Sequence, residues 1–254
     1  MLSEDPIRDG LNWYIYCMGN PIKYKDPSGL LMETDAKEFG KGSDAYKILD
    51  DLGKRWNAAK TQAEKNEIHQ TAEIVRINAR NKTPIINAQT KITNLLHENA
   101  VTGKQVMQTN RESYAFAIQF HLPAGVHPDM KSWTWLGFQA YNGTTFPGDW
   151  NFKFQKEWQI PDSHDSITTY NPDTGKYETH DSIADPSMRS WQNYMYFEGR
   201  IIGGDELGNI NLAYVGTQMG FDQFWFKDMF KLIDDDPIDQ ASLQFGMDLA
   251  NRGF

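Results

Sequence analysis

The chain has 254 residues, 39% of them hydrophobic and 13% aromatic, with eight tryptophans, enough apolar material for one large domain or two small ones. Its net charge is −9, and the acid excess lies late: residues 106–254 hold 20 acidic and 10 basic side chains, against 14 and 15 in residues 1–105. No apolar run approaches the roughly 20 residues of a membrane helix, no signal-peptide pattern is expected at the start, no basic patch suited to phosphates is visible, and the single cysteine, Cys17, excludes an intrachain disulfide and a cysteine zinc cage.

Residues 1–30 read as short β-prone pieces punctuated by turns. Trp13-Tyr14-Ile15-Tyr16 is a strand candidate, and Gly19-Asn20-Pro21 and Asp26-Pro27-Ser28-Gly29 are turns. Such a fragment is too short to bury a core of its own. Residues 31–42 read as a linker rich in Gly, Lys and Glu. Ser43 then suits an N-cap, and Ala45, Ile48, Leu49, Leu52, Trp56, Ala59 and Ala63 form one apolar stripe. The phase shifts near Lys65-Asn66, and Ile68, Ala72, Val75 and Ala79 continue in a new frame, which predicts a helical hairpin or a bent helix ending before Thr83-Pro84. A third helix is expected over about 89–108, with Ile92, Leu95, Leu96 and Ala100 inside.

Tyr114, Phe116, Ile118 and Phe120 alternate as in a strand, although a helix also fits. Trp133, Trp135, Leu136, Phe138 and Tyr141 predict a buried helix. His121 and His127 lie beside prolines and read as loop residues. Residues 161–190 form a polar insert in which Asn171 to Gly175 suggests a hairpin turn. The pairs His164/Asp165 and His180/Asp181 match no metal-binding spacing, and a surface loop accounts for them. Gly208-Asn209 reads as a turn, after which Ala213, Gly216 and Gly220 share a helical face open to close approach. The expected fold class is α+β, predominantly α-helical, with a few short strands near 111–121 and 165–205 and a β-rich N-terminal piece.

The densest chemistry is Asp234-Asp235-Asp236-Pro237-Ile238-Asp239. Capping accounts for part of it: Asp236 suits an N-cap, Pro237 the first helical position and Asp239 the third. Carboxylates there also offset the positive end of the helix dipole. Ile238, Ala241, Phe245 and Leu249 follow at helical spacing. Capping accounts less well for Asp234 and Asp235, because crowded like charges repel unless solvated, paired or metal-bound. Two further polar clusters precede this run, Gly148-Asp149-Trp150-Asn151-Phe152-Lys153 and Asp205-Glu206-Leu207-Gly208-Asn209-Ile210-Asn211. The three clusters are expected to meet in space.

Two stretches resemble known families. Asp5-Pro6, Gly10-Leu11-Asn12-Trp13-Tyr14, Tyr16, Asn20-Pro21 and Asp26-Pro27-Ser28-Gly29-Leu30 resemble the end of the Rhs/YD-repeat-associated core. That resemblance implies the remnant of a β-cage shell that encapsulates a variable C-terminal toxin. It also implies an aspartate-dependent self-cleavage motif, with Asp26 as protease aspartate and cleavage after Leu30. A shell this short lacks the partner aspartate and the cage, so no cleavage by this chain alone is expected. The C-terminal part resembles the bacterial polymorphic toxin type 44 family in three blocks. They are Gly148-Asp149-Trp150-Asn151-Phe152-Lys153; then Phe197, Gly199, Asp205, Gly208, Asn209, Asn211, Val215 and Gly216; then Asp235, Asp236, Pro237, Asp239, Leu243 and Gly246. The chain departs from the family pattern at Asn151, where an aspartate is usual, and at Leu212-Ala213, where Tyr-Gly is usual and Tyr214 follows. The resemblances imply a division into 1–30 (shell end), 31–88 (linker and helical region) and 89–254 (toxin domain). They also imply a secreted or delivered effector with a cognate immunity protein.

Clustered carboxylates support two chemistries. One carboxyl held protonated beside an ionised one suits glycoside hydrolysis. Alternatively, two or three can hold Mg²⁺ or Ca²⁺ for phosphoester hydrolysis. The acidic, aromatic-rich composition favours a glycan or cell-envelope substrate over nucleic acid. On this reading Asp205 and Asp236 serve as base or metal ligand, with Asp239 as second carboxylate and Asp235 as a further metal ligand. Asn151, Lys153, Asn209, Asn211 and Tyr214 bind substrate. The alternatives are a metal-dependent nuclease toxin and a non-enzymatic module that binds and blocks a target protein.

Overall fold

The computed structural model describes residues 33–82, 85–140, 149–150, 152, 158, 166–171, 174–181, 194–221 and 237–254. The β-prone pieces of residues 1–30 therefore lie outside the described residues. The described residues are mostly helical, with one three-stranded and one two-stranded sheet, which is the α+β, helix-dominated class expected. Among them no helix is long and apolar enough to cross a membrane. They fall into two compact units. One takes in residues 33–88, 166–181 and 194–201, the other the described parts of 89–158 and 202–254.

The first unit is built on a helical hairpin. Ser43 caps α2 (Asp44–Ala58), its hydroxyl accepting from the Tyr46 amide at 3.1 Å. α3 (Gln62–Arg80) opens with a reciprocal cap, in which Thr61 Oγ1 accepts from the Glu64 amide and Glu64 Oε2 from the Thr61 amide. The break between the helices therefore falls at residues 59–61, ahead of the phase shift near Lys65-Asn66. Ile48, Leu49, Leu52, Ala72, Val75, Ile85 and Tyr196 form the core. The segment expected to be a linker carries a further helix, α1 (Glu33–Phe39). It is held by burial of Asp35 against Arg76 at 3.2 Å and by the Glu38–Arg80 pair at 2.8 Å. A local polarity pattern does not reveal such a long-range anchor.

Strand β1 (Ile86–Asn87) pairs in parallel with β4 (Met195–Phe197), Ile86 opposite Met195 and Asn87 opposite Tyr196. β5 (Arg200–Ile202) completes the order β1-β4-β5. Glu198 and Gly199 between β4 and β5 have φ of 49° and 85°, the pairing that a tight two-residue hairpin turn demands. β2 (Ser166–Asn171) and β3 (Lys176–Asp181) form the antiparallel hairpin that residues 171–175 suggested, from Ser166 opposite Asp181 to Asn171 opposite Lys176. The Asn78 carboxamide docks it on α3 by standing in for a strand neighbour. It donates to the Thr168 carbonyl at 2.8 Å and accepts from the Thr168 amide at 3.0 Å.

The described residues of the second unit pack four helices: α4 (Gln89–Gln119), α5 (Pro128–Ala140), α6 (Gly204–Gln218) and α7 (Pro237–Asn251). Ile92, Leu96, Ala100, Gly103 and Met107 line the buried face of α4 at spacings of three and four. α4 continues unbroken through residues 111–119, so no strand forms there. Alternation over four residues proved too short to outweigh continuation of a long helix, and Phe116, Ile118 and Phe120 are more than half exposed. α5 is the helix expected around Trp133, but only one side of it is buried: Leu136 is inside and Phe138 exposed.

α6 runs through Gly208-Asn209, so the turn expected there is a helical stretch. Leu207, Ile210 and every residue from Asn211 to Val215 are buried, as in a helix surrounded by neighbours. Glycines let those neighbours come close. A methyl group on Gly103 would lie 2.7 Å from Val215 Cγ1, and one on Gly246 would run into the Ile210 carbonyl oxygen and the Ala213 Cβ. The small residue Ala213 on α6 thus meets Gly246 on α7, the kind of approach the small-residue face suggested. On α7, Leu243, Phe245, Met247 and Leu249 are buried, whereas Ala241 is exposed and lies off the core face.

Candidate functional site

The described members of the three polar clusters are neighbours in the second unit. α6 carries the middle cluster and presents consecutive positions to different partners. Asn209 turns toward α7, where its Nδ2 donates to Asp239 Oδ1 at 2.6 Å. Asp239 is the third residue of α7, which begins at Pro237 as the capping pattern predicts, so its carboxylate also lies at the positive end of that helix. One step back on α6, a Cβ built on Gly208 would stand 3.4 Å from the Trp150 carbonyl oxygen, in ordinary contact. Two steps on, Asn211 is fully buried and its Oδ1 accepts from Asn99 Nδ2 on α4 at 3.0 Å. Its own Nδ2 is buried with no hydrogen-bond partner. Glu206, in the first turn of α6, caps that helix by accepting from the Gly203 amide at 2.7 Å.

Asn99 also lines a cavity of about 360 Å³ within this unit. Thr102 joins it from α4, Trp135 and Gln139 from α5, and Asp149 and Trp150 from the first cluster. The Trp150 amide donates to the Gln139 carbonyl at 2.9 Å, which fixes this cluster on the end of α5. The Trp135 and Trp150 rings meet edge to face, 5.4 Å between centroids and at 87°. Thus one turn of α6 meets the Trp150 carbonyl at Gly208, Asp239 at Asn209 and Asn99 at Asn211.

Tyr214 is directed elsewhere. It is buried, its hydroxyl donates to the Phe254 carbonyl at 2.7 Å, and His97 and Phe254 pack around its ring. Burial raises its pKa. Asn211 and Tyr214 therefore contact protein groups, and Asn211 acts on the cavity through Asn99. Asp205 is the second residue of α6, one turn before Asn209. Asn151, Lys153, Asp235, Asp236, Asp26 and Leu30 lie outside the described residues. Among the described residues, no three His, Cys, Asp or Glu side chains are grouped to share a metal ion. His121 and His127 sit in the loop between α4 and α5, and His127 Nδ1 accepts from the Asp129 amide at 3.3 Å.

Asn99, Thr102 and Gln139 escaped the sequence reading. One signal was present for Asn99. It falls on the same face as Ile92, Leu96 and Gly103, and a carboxamide on the apolar stripe of a helix must find a buried partner. Compared with family models, with curated proteins and with solved structures, the chain gives no match.

Proposed function

We propose that this chain is the C-terminal effector part of an Rhs-type polymorphic toxin. Its second unit acts as a carboxylate-dependent hydrolase on a glycan or cell-envelope substrate. The observation that carries the reading is the Asn209–Asp239 hydrogen bond, which joins the second and third motif blocks beside Gly208 and the Trp150 carbonyl of the first. A structural cap alone would not require three blocks distant in sequence to converge on one turn of helix. In this reading Asp239 is one carboxylate of the site, held in place by Asn209. Asp205 and Asp236 supply the base or a ligand for Mg²⁺ or Ca²⁺, and Lys153 and Asn151 contact substrate. The chain is delivered by a specialised secretion system, travels inside its Rhs shell, and is neutralised in the producer by a cognate immunity protein.

A second reading, a non-enzymatic module that binds and blocks a target protein, draws on the exposed Phe116, Ile118, Phe120 and Leu122 at the end of α4. Expression of the 254-residue chain in a bacterium, with and without an export signal, separates the readings when Asp236→Asn and Asp239→Asn are run alongside. Lysis or rounding only after export, abolished by either substitution in soluble, folded protein, is the expected result. Killing from the cytoplasm with degraded nucleic acid would replace the hydrolase reading with a metal-dependent nuclease. Killing that survives both substitutions would leave the binder.

A further inference from the structure

We propose that the last turns of α4 and the loop that follows form an arm that dips into one leaflet of a lipid bilayer. The arm lies apart from the carboxylates, and its role does not depend on the hydrolase reading. Three observations support it.

The first is exposure on every side. The last buried residue of α4 is Met107, and from Arg111 to His127 no residue is buried. Phe116, Ile118, Phe120, Leu122 and Val126 are each more than half exposed. Phe116 and Phe120 meet on one side of the helix, with ring centroids 4.5 Å apart. Ile118 stands on the opposite side, because two residues turn a helix by about 200°. A flat protein surface, or a second copy laid alongside, covers one side of such an arm and leaves the other in water. Lipid encloses both, and exposed apolar surface of this kind marks a docking element rather than a solvated one.

The second observation is charge. Residues 113–128, sixteen in succession, include no Asp, Glu, Lys or Arg, in a chain of which 23% is charged. Charge returns on both helices at one level, where Arg111 of α4 donates to Asp129 of α5 at 3.3 Å. Beyond that pair α4 runs on for about 12 Å to Gln119, at 1.5 Å per residue. Such a depth suits the boundary between headgroups and acyl chains, and it falls far short of the roughly 30 Å hydrocarbon core. With a net charge of −9 the chain is not drawn to anionic headgroups, so apolar contact supplies the affinity.

The third observation is the backbone at the tip. The Leu122 amide donates to the Ala117 carbonyl at 2.9 Å, and the His121 amide to the Ile118 carbonyl at 3.2 Å, with His121 at φ 53°. This double closure occupies two carbonyls that a helix end otherwise offers to water. Pro123, which follows, has no amide proton to satisfy. Hydrocarbon provides no partner for the backbone, so a helix end that enters it must be closed on itself.

Flotation of the purified full chain with phosphatidylcholine vesicles, with and without phosphatidylglycerol, tests the proposal. The chain should float with both, increasingly with lipid, and as well at high salt as at low. Phe116→Ser and Phe120→Ser should each weaken partitioning by about tenfold, the loss of one half-exposed phenyl ring from hydrocarbon. Phe138→Ser is the control. Its ring is 61% exposed but sits near the far end of α5, so this variant should float like the parent. Circular dichroism verifies that the three variants keep the helical fold. No flotation, flotation only with phosphatidylglycerol at low salt, or an equal loss in all three variants would overturn the proposal. Light scattering identifies one replacement: a dimer that Phe116→Ser and Phe120→Ser dissolve, in a chain that does not float, would assign the arm to a second copy. Killing that these two substitutions abolish, again without flotation, would assign it to a protein target.

Discussion

The Asn209 carboxamide donates to the Asp239 carboxylate at 2.6 Å across two helices whose sequence positions are 30 residues apart. Both residues are half-buried, so the contact is shielded from solvent more than a surface pair. An ionised acceptor at a helix N-terminus strengthens a hydrogen bond over its neutral counterpart.

A double-mutant cycle on Asn209→Ala and Asp239→Ala, read by urea unfolding, should give a coupling of about 1–2 kcal/mol. Additive single effects would mean that the two side chains do not meet in solution. The convergence of the second and third motif blocks would then lose its main support.

The first unit offers a contrast between two ion pairs that hold the same short helix. Arg76 is 7% exposed and bonded to Asp35, itself 2% exposed, and to Glu73. Glu38 and Arg80 are exposed, their side chains open to 39% and 49%. Asp35→Ala leaves a buried guanidinium with one partner fewer and should cost about 3–5 kcal/mol. Glu38→Ala should cost less than about 1 kcal/mol. Urea unfolding of both variants, followed by far-ultraviolet circular dichroism, decides the matter, and similar losses in the two would refute the burial argument.

The residues that could be read in advance were those whose reasons are local. Ser43 caps α2 because its hydroxyl reaches an amide three residues on, and Pro237 opens α7 because its ring suits a first helical position. The Thr61/Glu64 box was equally local but was overshadowed by the phase shift that follows it. Asp35 gave no such signal, because its partner Arg76 is 41 residues away. Gly208 looked like a turn, since nothing nearby in sequence indicates that the helix begun at Gly204 runs on through it. Tyr114 to Phe120 alternate in hydrophobicity, yet the helix begun at Gln89 carries on through them. At the site, the three clusters announced themselves by composition. The layer that organises them, Asn99 and Gln139, is visible only once α4 and α5 are placed beside α6.

Two helical glycines should respond oppositely to alanine. A methyl on Gly137 meets nothing within 4 Å, so Gly137→Ala gains helix propensity and should stabilise the second unit by about 0.5–1 kcal/mol. A methyl on Gly246 meets the Ile210 carbonyl and Ala213, so Gly246→Ala must push α7 away from α6 and should cost about 1–3 kcal/mol despite the same propensity gain. Thermal unfolding of the two variants beside the parent chain checks the signs. A neutral or stabilising Gly246→Ala would mean that the helices do not approach this closely.

The last prediction concerns alkaline pH and Tyr196. This tyrosine is 1% exposed, and its hydroxyl donates at 2.5 Å to Asp51 Oδ2, which also accepts from Arg55 Nε at 2.7 Å. Burial first, and then the hydrogen bond and charge of Asp51, push its pKa far above the ordinary tyrosine value, with Arg55 opposing only in part. The folded state therefore holds the proton more tightly than the unfolded state does. The stability this contributes is fully present below the unfolded value of about 10 and is lost as pH rises toward the folded value. Above about pH 10, stability should fall by about 1.4 kcal/mol for each pH unit contributed by this group. Tyr196→Phe removes the titrating group and the donor to Asp51. It should lower stability at neutral pH by about 1 kcal/mol and make the decline above pH 10 shallower than in the parent. Urea unfolding at a series of alkaline pH values measures both effects, and taking the difference between the two chains cancels the raised Tyr214 of the other unit. Parallel declines in parent and variant would show that the Tyr196 proton is not held by the fold, and that Asp51 is organised by Arg55 alone.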